Sequence, residues 1–390
     1  MFRKINAICA FFILILSSCA TAPQTTPKAD IWGTLAPTQP VELQPIDGTP
    51  TAKPDMEISP LPRPTSAPGI NPLTGLPAEG DRLDRRPVVI KVENLPRNNR
   101  PQWGLNDADH VYEYYTEQGT TRFAAIFYGN EPKIVAPIRS ARWFDMQLVQ
   151  MYKSFFVFGS AYSDLLKALY ETDFSDRLLI ETPNTCPALC RTDPDGRNVL
   201  GADVAEVHAY MQRQGLDDSR QDLSGLTFAD QPPADGEAVS RVFVRFSGAI
   251  YNRWDYNPDT GSYIRSVDQG DDLSGQNEKY DVLKDRNSDT AVQTENVVIL
   301  VAEYHPVVIT NNSEVYDIPL TGKGWAFALR DGQLYNLDWV REKPGDVLQL
   351  VWPDGQSYNL KPGRTWFEVI NRSSNWERKD NAWRFTFRLP

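Results

Sequence analysis

The chain has 390 residues, with 40 Lys and Arg against 51 Asp and Glu and a formal net charge of −11. That balance lacks the basic field on which nonspecific nucleic-acid binding depends, so no nucleic-acid partner is expected. Once a targeting segment is set aside, the length suits one large domain or two ordinary ones.

Residues 1–18 open with Arg3 and Lys4, run apolar from Ile8 to Leu16 and end in Leu16-Ser17-Ser18-Cys19. A basic start, a short apolar core and small residues make an export signal, and the core is too short to span a bilayer. Two small residues before a Cys and after a Leu form a lipobox. The reading is therefore a lipoprotein signal peptide over 1–18, cleaved to leave lipid on Cys19. Acyl chains stabilise anchoring by about 0.8 kcal/mol per buried methylene, which would hold the protein on the extracytoplasmic face of the cell membrane. Residues 19–70 are rich in Pro, Thr, Ala and Ser, cannot bury enough surface to offset their ordering entropy, and read as a disordered stalk.

The remainder reads as α+β: an N-terminal α/β-type sheet domain over 71–235, then a mainly antiparallel β domain over 236–390. Val88 to Val92 is a β-rich run. Phe123 to Tyr128 and Lys133 to Ile138, separated by Gly129-Asn130-Glu131-Pro132, read as a hairpin. Phe144, Leu148, Met151 and Phe155 recur at helical spacing, and Phe155 to Phe158 begins to read as strand. A further helix is expected from Ala202 to Gln214, stopped by Gly215. Beyond the polar stretch Gln231 to Gly236 come short β-rich runs at Val242–Phe246, Tyr263–Val267, Val297–Val301, Trp325–Leu329, Val347–Val351 and Trp366–Ile370, punctuated by Asp331-Gly332 and Asp354-Gly355.

Of the four cysteines, Cys9 belongs to the signal and Cys19 to the anchor, leaving Cys186 and Cys190. A pair this close in an exported protein reads first as a small loop disulfide, with free thiols or a metal pair as alternatives.

Chemistry concentrates in Lys133 to Arg142, a strand running through Pro137 into a helix start, where Ser140 is a candidate cap. Helix N-termini attract anions, and Arg139 and Arg142 sit at that point. With Arg122 at the start of a strand and Arg100 and Gln102 in an upstream loop, they would make a phosphate or pyrophosphate pocket if the fold gathers them. The alternative is an internal ion network with Asp109, Glu113 and Glu117. Carboxylates such as Glu93, Asp109 and Glu113 are too weakly patterned to assign a metal, and no cofactor is expected. Ser160 lacks the glycines of a nucleophile elbow, and Thr321 to Gly324 lacks the flanking residues of a P-loop.

Asn71-Pro72-Leu73-Thr74-Gly75, Arg100-Pro101-Gln102, Ala108-Asp109, Glu113, Thr121-Arg122 and Pro137-x-Arg139-Ser140-x-Arg142 resemble the YerB-type lipoproteins, a family of unknown function. Its second domain is matched by Trp254-x-Tyr256, Gly261-x-Tyr263-x-Arg265, Asn296-Val297-Val298, Thr321-Gly322-x-Gly324 and Lys361-Pro362-Gly363-x-Thr365-Trp366. Gly196-Arg197-Asn198 stands where the family has Pro-His-Asn, so no role for that His carries over. More loosely, Arg122 to Phe127 followed by Pro137-Ile138-Arg139-Ser140 is similar to the LytR-CpsA-Psr phosphotransferases, whose Arg side chains bind polyprenyl pyrophosphate. Ser140 replaces the Asp of their turn, which puts acid or metal chemistry there in doubt. The leading reading is a binder of an anionic, phosphate-bearing cell-wall precursor or polymer; the alternatives are a phosphotransferase or hydrolase acting on a polyprenyl-pyrophosphate-linked glycopolymer, as the looser resemblance implies, and an adaptor for an envelope protein partner in which the arginines are neutralised internally.

Overall fold

The computed structural model describes residues 66–192, 198–310 and 313–390. The signal, Cys19 and the stalk to residue 65 lie outside the described residues, as do Gly196 and Arg197. Among the described residues no helix is long and apolar enough to cross a membrane.

The first strand, β1 (Val88–Glu93), is buried along its whole length, which explains why it reads as a continuous apolar run interrupted only by Lys91. It runs antiparallel to β3 (Thr121–Phe127), Glu93 opposite Arg122, and β3 in turn pairs antiparallel with β2 (His110–Tyr115). On the other side β1 is parallel to β4 (Phe155–Phe158), and β4 is parallel to β5 (Leu178–Ile180). Helix α1 (Trp143–Tyr152) leads into β4, and α2 (Ser163–Tyr170) follows it. Past a two-stranded ribbon of β6 (Leu189–Thr192) and β7 (Val199–Ala202), α3 (Val204–Arg213) starts on Asp203, whose carboxylate accepts from the Glu206 amide, and Gly215 follows it at φ 75°.

The hairpin partner of β3 is therefore β2 and not Lys133–Ile138. Pro137 has no N–H, and the segment around it spreads its backbone bonds over several neighbours: Val135 N–H donates to Ala202, Ile138 N–H to Leu200 and Arg139 N–H to Lys91, while the Pro137 carbonyl accepts from Glu93 N–H. The chain is threaded across the end of β1 rather than laddered along β3.

The sheet does not stop at the end of the first half. β2 pairs in parallel with Thr365–Asn371, bringing Glu113 opposite Glu368. From there the sheet continues through Asn296–Ala302, Gly322–Arg330, Gln333–Arg341 and Gln349–Val351, in an 11-stranded array. The hairpin between Gly322–Arg330 and Gln333–Arg341 turns on Asp331 and Gly332, both at positive φ, as that pair suggested. A second, seven-stranded sheet is built around Arg241–Arg245, Tyr251–Asn257 and Ser262–Asp268. The fold is α+β and mainly antiparallel, with parallel pairing among β1, β4 and β5, between β2, Thr365–Asn371 and Asn296–Ala302, and between Arg241–Arg245 and Ala382–Thr386.

The halves meet at a buried ion cluster. Arg265 donates from Nη1 to Glu368 Oε1 at 2.9 Å and from Nη2 to Glu113, and all three side chains are fully buried. Trp254 Nε1 also donates to Glu368 Oε1, at 2.9 Å, and the Arg265 guanidinium lies 4.4 Å from the Trp366 ring centroid. Burial, then the neighbouring Glu113, pushes the Glu368 carboxyl up to about 8.

Candidate functional site

Because β1 and β4 are parallel and β3 is antiparallel, the ends of β1 and β4 and the start of β3 share one edge of the sheet. Helix α2 begins just after β4, and α1 ends just before it, so both helices present their N-termini toward this edge. The Trp143 indole N–H donates to Tyr162 OH and ties the two helix starts together.

Arg122, Arg139, Ser140 and Arg142 are gathered here. Arg122 Nη1 donates to the Ser140 carbonyl at 2.7 Å, and its Nη2 reaches Glu117 Oε1 at 3.1 Å. Arg142 Nε donates to Glu117 Oε2 at 2.6 Å, and its Nη2 meets the same carboxylate. Two guanidiniums thus share a single carboxylate. Burial, then the nearby Arg142, lowers the Arg122 pKa to about 10. Burial raises the Glu117 carboxyl, but the opposing bonds and charge of Arg142 outweigh it and hold the group below the usual range.

Arg139 pairs with Glu93, whose side chain is almost completely enclosed, while its own remains 45% exposed. Asn99 Nδ2 donates to the other Glu93 oxygen at 2.8 Å. Burial pushes the Glu93 carboxyl up against the lowering effect of these two partners. Between the arginines, Ser140 Oγ and Ser160 Oγ lie 2.7 Å apart on the surface.

Ser140 is not the helix cap. That position belongs to Arg142, whose backbone N–H donates to Asp145 Oδ2 at 2.7 Å, and Ser140 stays two residues outside, free to meet Ser160. Asp145 also accepts from Lys91 Nζ at 3.0 Å and Tyr114 OH at 2.5 Å. Lys91 is fully buried, and burial, only partly opposed by Asp145, pulls it down to about 7.

The other two candidates sit apart. Arg100 is 8% exposed and consumed: Nη1 and Nη2 reach Asp268 at 3.0 and 3.1 Å, while Nε and Nη2 meet the Asn94 carbonyl and side-chain oxygen. It clamps the first half of the chain to the second, with Arg97 on the same carboxylate at 2.5 Å. Gln102 Nε2 donates to the Glu93 carbonyl at 2.8 Å, and its Oε1 is buried without a partner among the described residues.

Lys91 and the Ser140–Ser160 pair were not singled out as site features in the sequence, whereas Glu117 was named there as a partner of these arginines and does pair with Arg122 and Arg142. For Lys91 a signal existed: a charge inside Val-Val-Ile-Lys-Val is rare in a fully buried strand unless it is paired. Of the other acids named with Glu117, Asp109 meets Asn71 and the Tyr128 and Gly129 amides, and Glu113 meets Arg265. Elsewhere in the first half, Cys186 and Cys190 are joined by a disulfide.

Residues 73–194 match the N-terminal domain, and residues 242–367 the C-terminal domain, of the DUF3048 proteins of unknown function. The YerB protein of Bacillus subtilis (strain 168), whose name places it among the lipoproteins, is 29% identical over 307 residues, covering 77% of this chain and 85% of that one. The crystal structure of YerB from Bacillus subtilis superimposes with a TM-score of 0.64 at 26% identity, covering 77% of this chain and 96% of that chain.

Proposed function

We propose that this chain, which belongs to the YerB family of two-domain lipoproteins, is held on the outer face of the cell membrane by lipid on Cys19 and binds an anionic, phosphate-bearing envelope ligand at the β1–β4 edge. The observation that carries the reading is the sharing of Glu117 by Arg122 and Arg142, beside the half-exposed Arg139. One guanidinium charge is left over, and a phosphate is the acceptor whose paired oxygens suit it. The start of α2 and the Ser140 and Ser160 hydroxyls add donors of the kind a phosphate oxygen accepts. The second half supports this edge through Asp268, which fixes the loop after β1.

Titration calorimetry of a short-chain prenyl pyrophosphate into the protein tests the proposal. Saturable binding lost in an Arg139→Ala, Arg142→Ala double variant supports it; absence of binding to the wild type sinks it and leaves the adaptor reading. The same titration with Mg2+ and product analysis separates a binder from a phosphotransferase or hydrolase.

A further inference from the structure

At the opposite edge of this parallel group, where β1, β4 and β5 begin, the surface forms an open cleft of about 280 Å³. Three cations line it, each just before a strand: Arg86 before β1, Lys153 before β4 and Arg177 before β5. Asp173, Asp176 and Asp217 line it as well.

Two of the cations are occupied. Arg86 donates from Nη2 to Asp217 Oδ2 at 2.7 Å, from Nε to the Asp217 carbonyl at 2.6 Å and from Nη1 to the Lys153 carbonyl at 2.7 Å. Lys153 Nζ donates to the Asp222 carbonyl at 2.6 Å. Arg177 differs. Its guanidinium lies 5.4 Å from the Phe174 ring centroid, and among the described residues no acceptor meets it within hydrogen-bond distance. The side chain is half-buried, and burial, then the neighbouring Arg86, pulls its pKa below the ordinary arginine value against the opposing charges of Asp176 and Asp173, neither of which is hydrogen-bonded to it. A partly desolvated guanidinium with unmet donors is unfavourable by itself and is relieved by a carboxylate, which it can hold through two parallel bonds.

Charge balance narrows the ligand. The cleft wall carries as many carboxylates as cations, so a phosphate dianion would leave it strongly negative. A molecule bearing one carboxylate and one ammonium preserves the balance. The volume falls at the lower end of small-molecule sites, the size of an amino acid or a short peptide. We propose that this cleft binds a small zwitterion, with its carboxylate on Arg177 and its ammonium facing Asp173 and Asp176. The site is separate from the β1–β4 edge and does not depend on what binds there.

The test is titration of alanyl-alanine into the full-length detergent-purified protein. Saturable binding is expected, weakened about tenfold or more in Arg177→Gln. An Asp173→Asn, Asp176→Asn variant should lose affinity for the dipeptide through its ammonium alone, which keeps the proposal testable should Arg177→Gln fold poorly. The dipeptide blocked at both termini should not bind. The Arg139→Ala, Arg142→Ala variant should bind the dipeptide as the wild type does, so failure here and failure of the pyrophosphate titration are read independently. Equal dipeptide binding by wild type and Arg177→Gln, or no saturable binding to the wild type, overturns the assignment.

Discussion

Glu113 and Glu368 are register partners across the parallel strand pair that joins the two halves of the chain, and both carboxylates turn onto the guanidinium of Arg265. Arg265→Met is accordingly expected to destabilise the protein by about 3–5 kcal/mol, because two buried carboxylates would lose their cation. Urea denaturation checks this; a loss below about 1 kcal/mol, the range of an exposed pair, would mean that the cluster is hydrated.

Glu368 gives a pH dependence of definite sign. Its folded-state pKa, about 8, lies above the ordinary value of 4.5, so the folded protein holds this proton more tightly than the unfolded chain. The associated stabilisation is complete below the unfolded value and is lost as pH rises through about 8. Lys91 acts in the opposite sense: lowered from 10.5 to about 7, it makes folding more favourable as pH rises across that interval. Melting curves of Glu368→Gln against wild type between the unfolded value of 4.5 and about 8 isolate the carboxylate, and the variant should lose less stability than the wild type as pH rises across that interval. Parallel curves would contradict the assignment.

Glu93 competes with any anion for Arg139. Glu93→Gln should leave the shape of the site intact, release the half-exposed guanidinium and tighten pyrophosphate binding several-fold, about the effect of one charge-assisted bond. Weaker binding in this variant, measured by the same calorimetry, would show that Glu93 orients Arg139 rather than restraining it.

Gly75 takes φ 69°, and a Cβ there would stand 2.5 Å from Phe228 Cγ. Gly75→Ala should therefore cost about 3 kcal/mol or more, combining backbone strain with overpacking. A shift of the urea midpoint reports it; a variant as stable as wild type would require Phe228 to have moved aside at little cost.

The elements that were legible are those whose burial follows a simple period. The spacing of Phe144, Leu148 and Met151 marks α1, and Asp203 and Gly215 bracket α3. The second-half strands appear near their expected runs because each alternates or is apolar throughout. β2 was not legible: no strand was expected over His110–Tyr115, where His110 and Glu113 interrupt four aromatic or β-branched residues, yet the strand is buried on both faces and its polar groups are satisfied internally. The gathering of Arg122, Arg139, Ser140 and Arg142 followed from their placement at strand ends, but the acids that meet them depend on register and could not be ranked. Several motif residues have structural work instead. Asn71 Nδ2 donates to Asp109 Oδ1 at 2.7 Å, and Trp254, Arg265 and Trp366 converge on the cluster between the halves.

The seam at β2 and Thr365–Asn371 also bears on the order of events in folding. Its two strands lie near opposite ends of the described chain, so the central sheet cannot close until nearly all of the polypeptide is present, and pairings between such distant segments form slowly. A nascent chain would keep β2 as an open edge through most of its synthesis. If the chain is exported as proposed above, this late closure would act as a timer: the sequence would stay threadable until its last strands arrive, at the expense of an interval in which that edge needs protection from other chains.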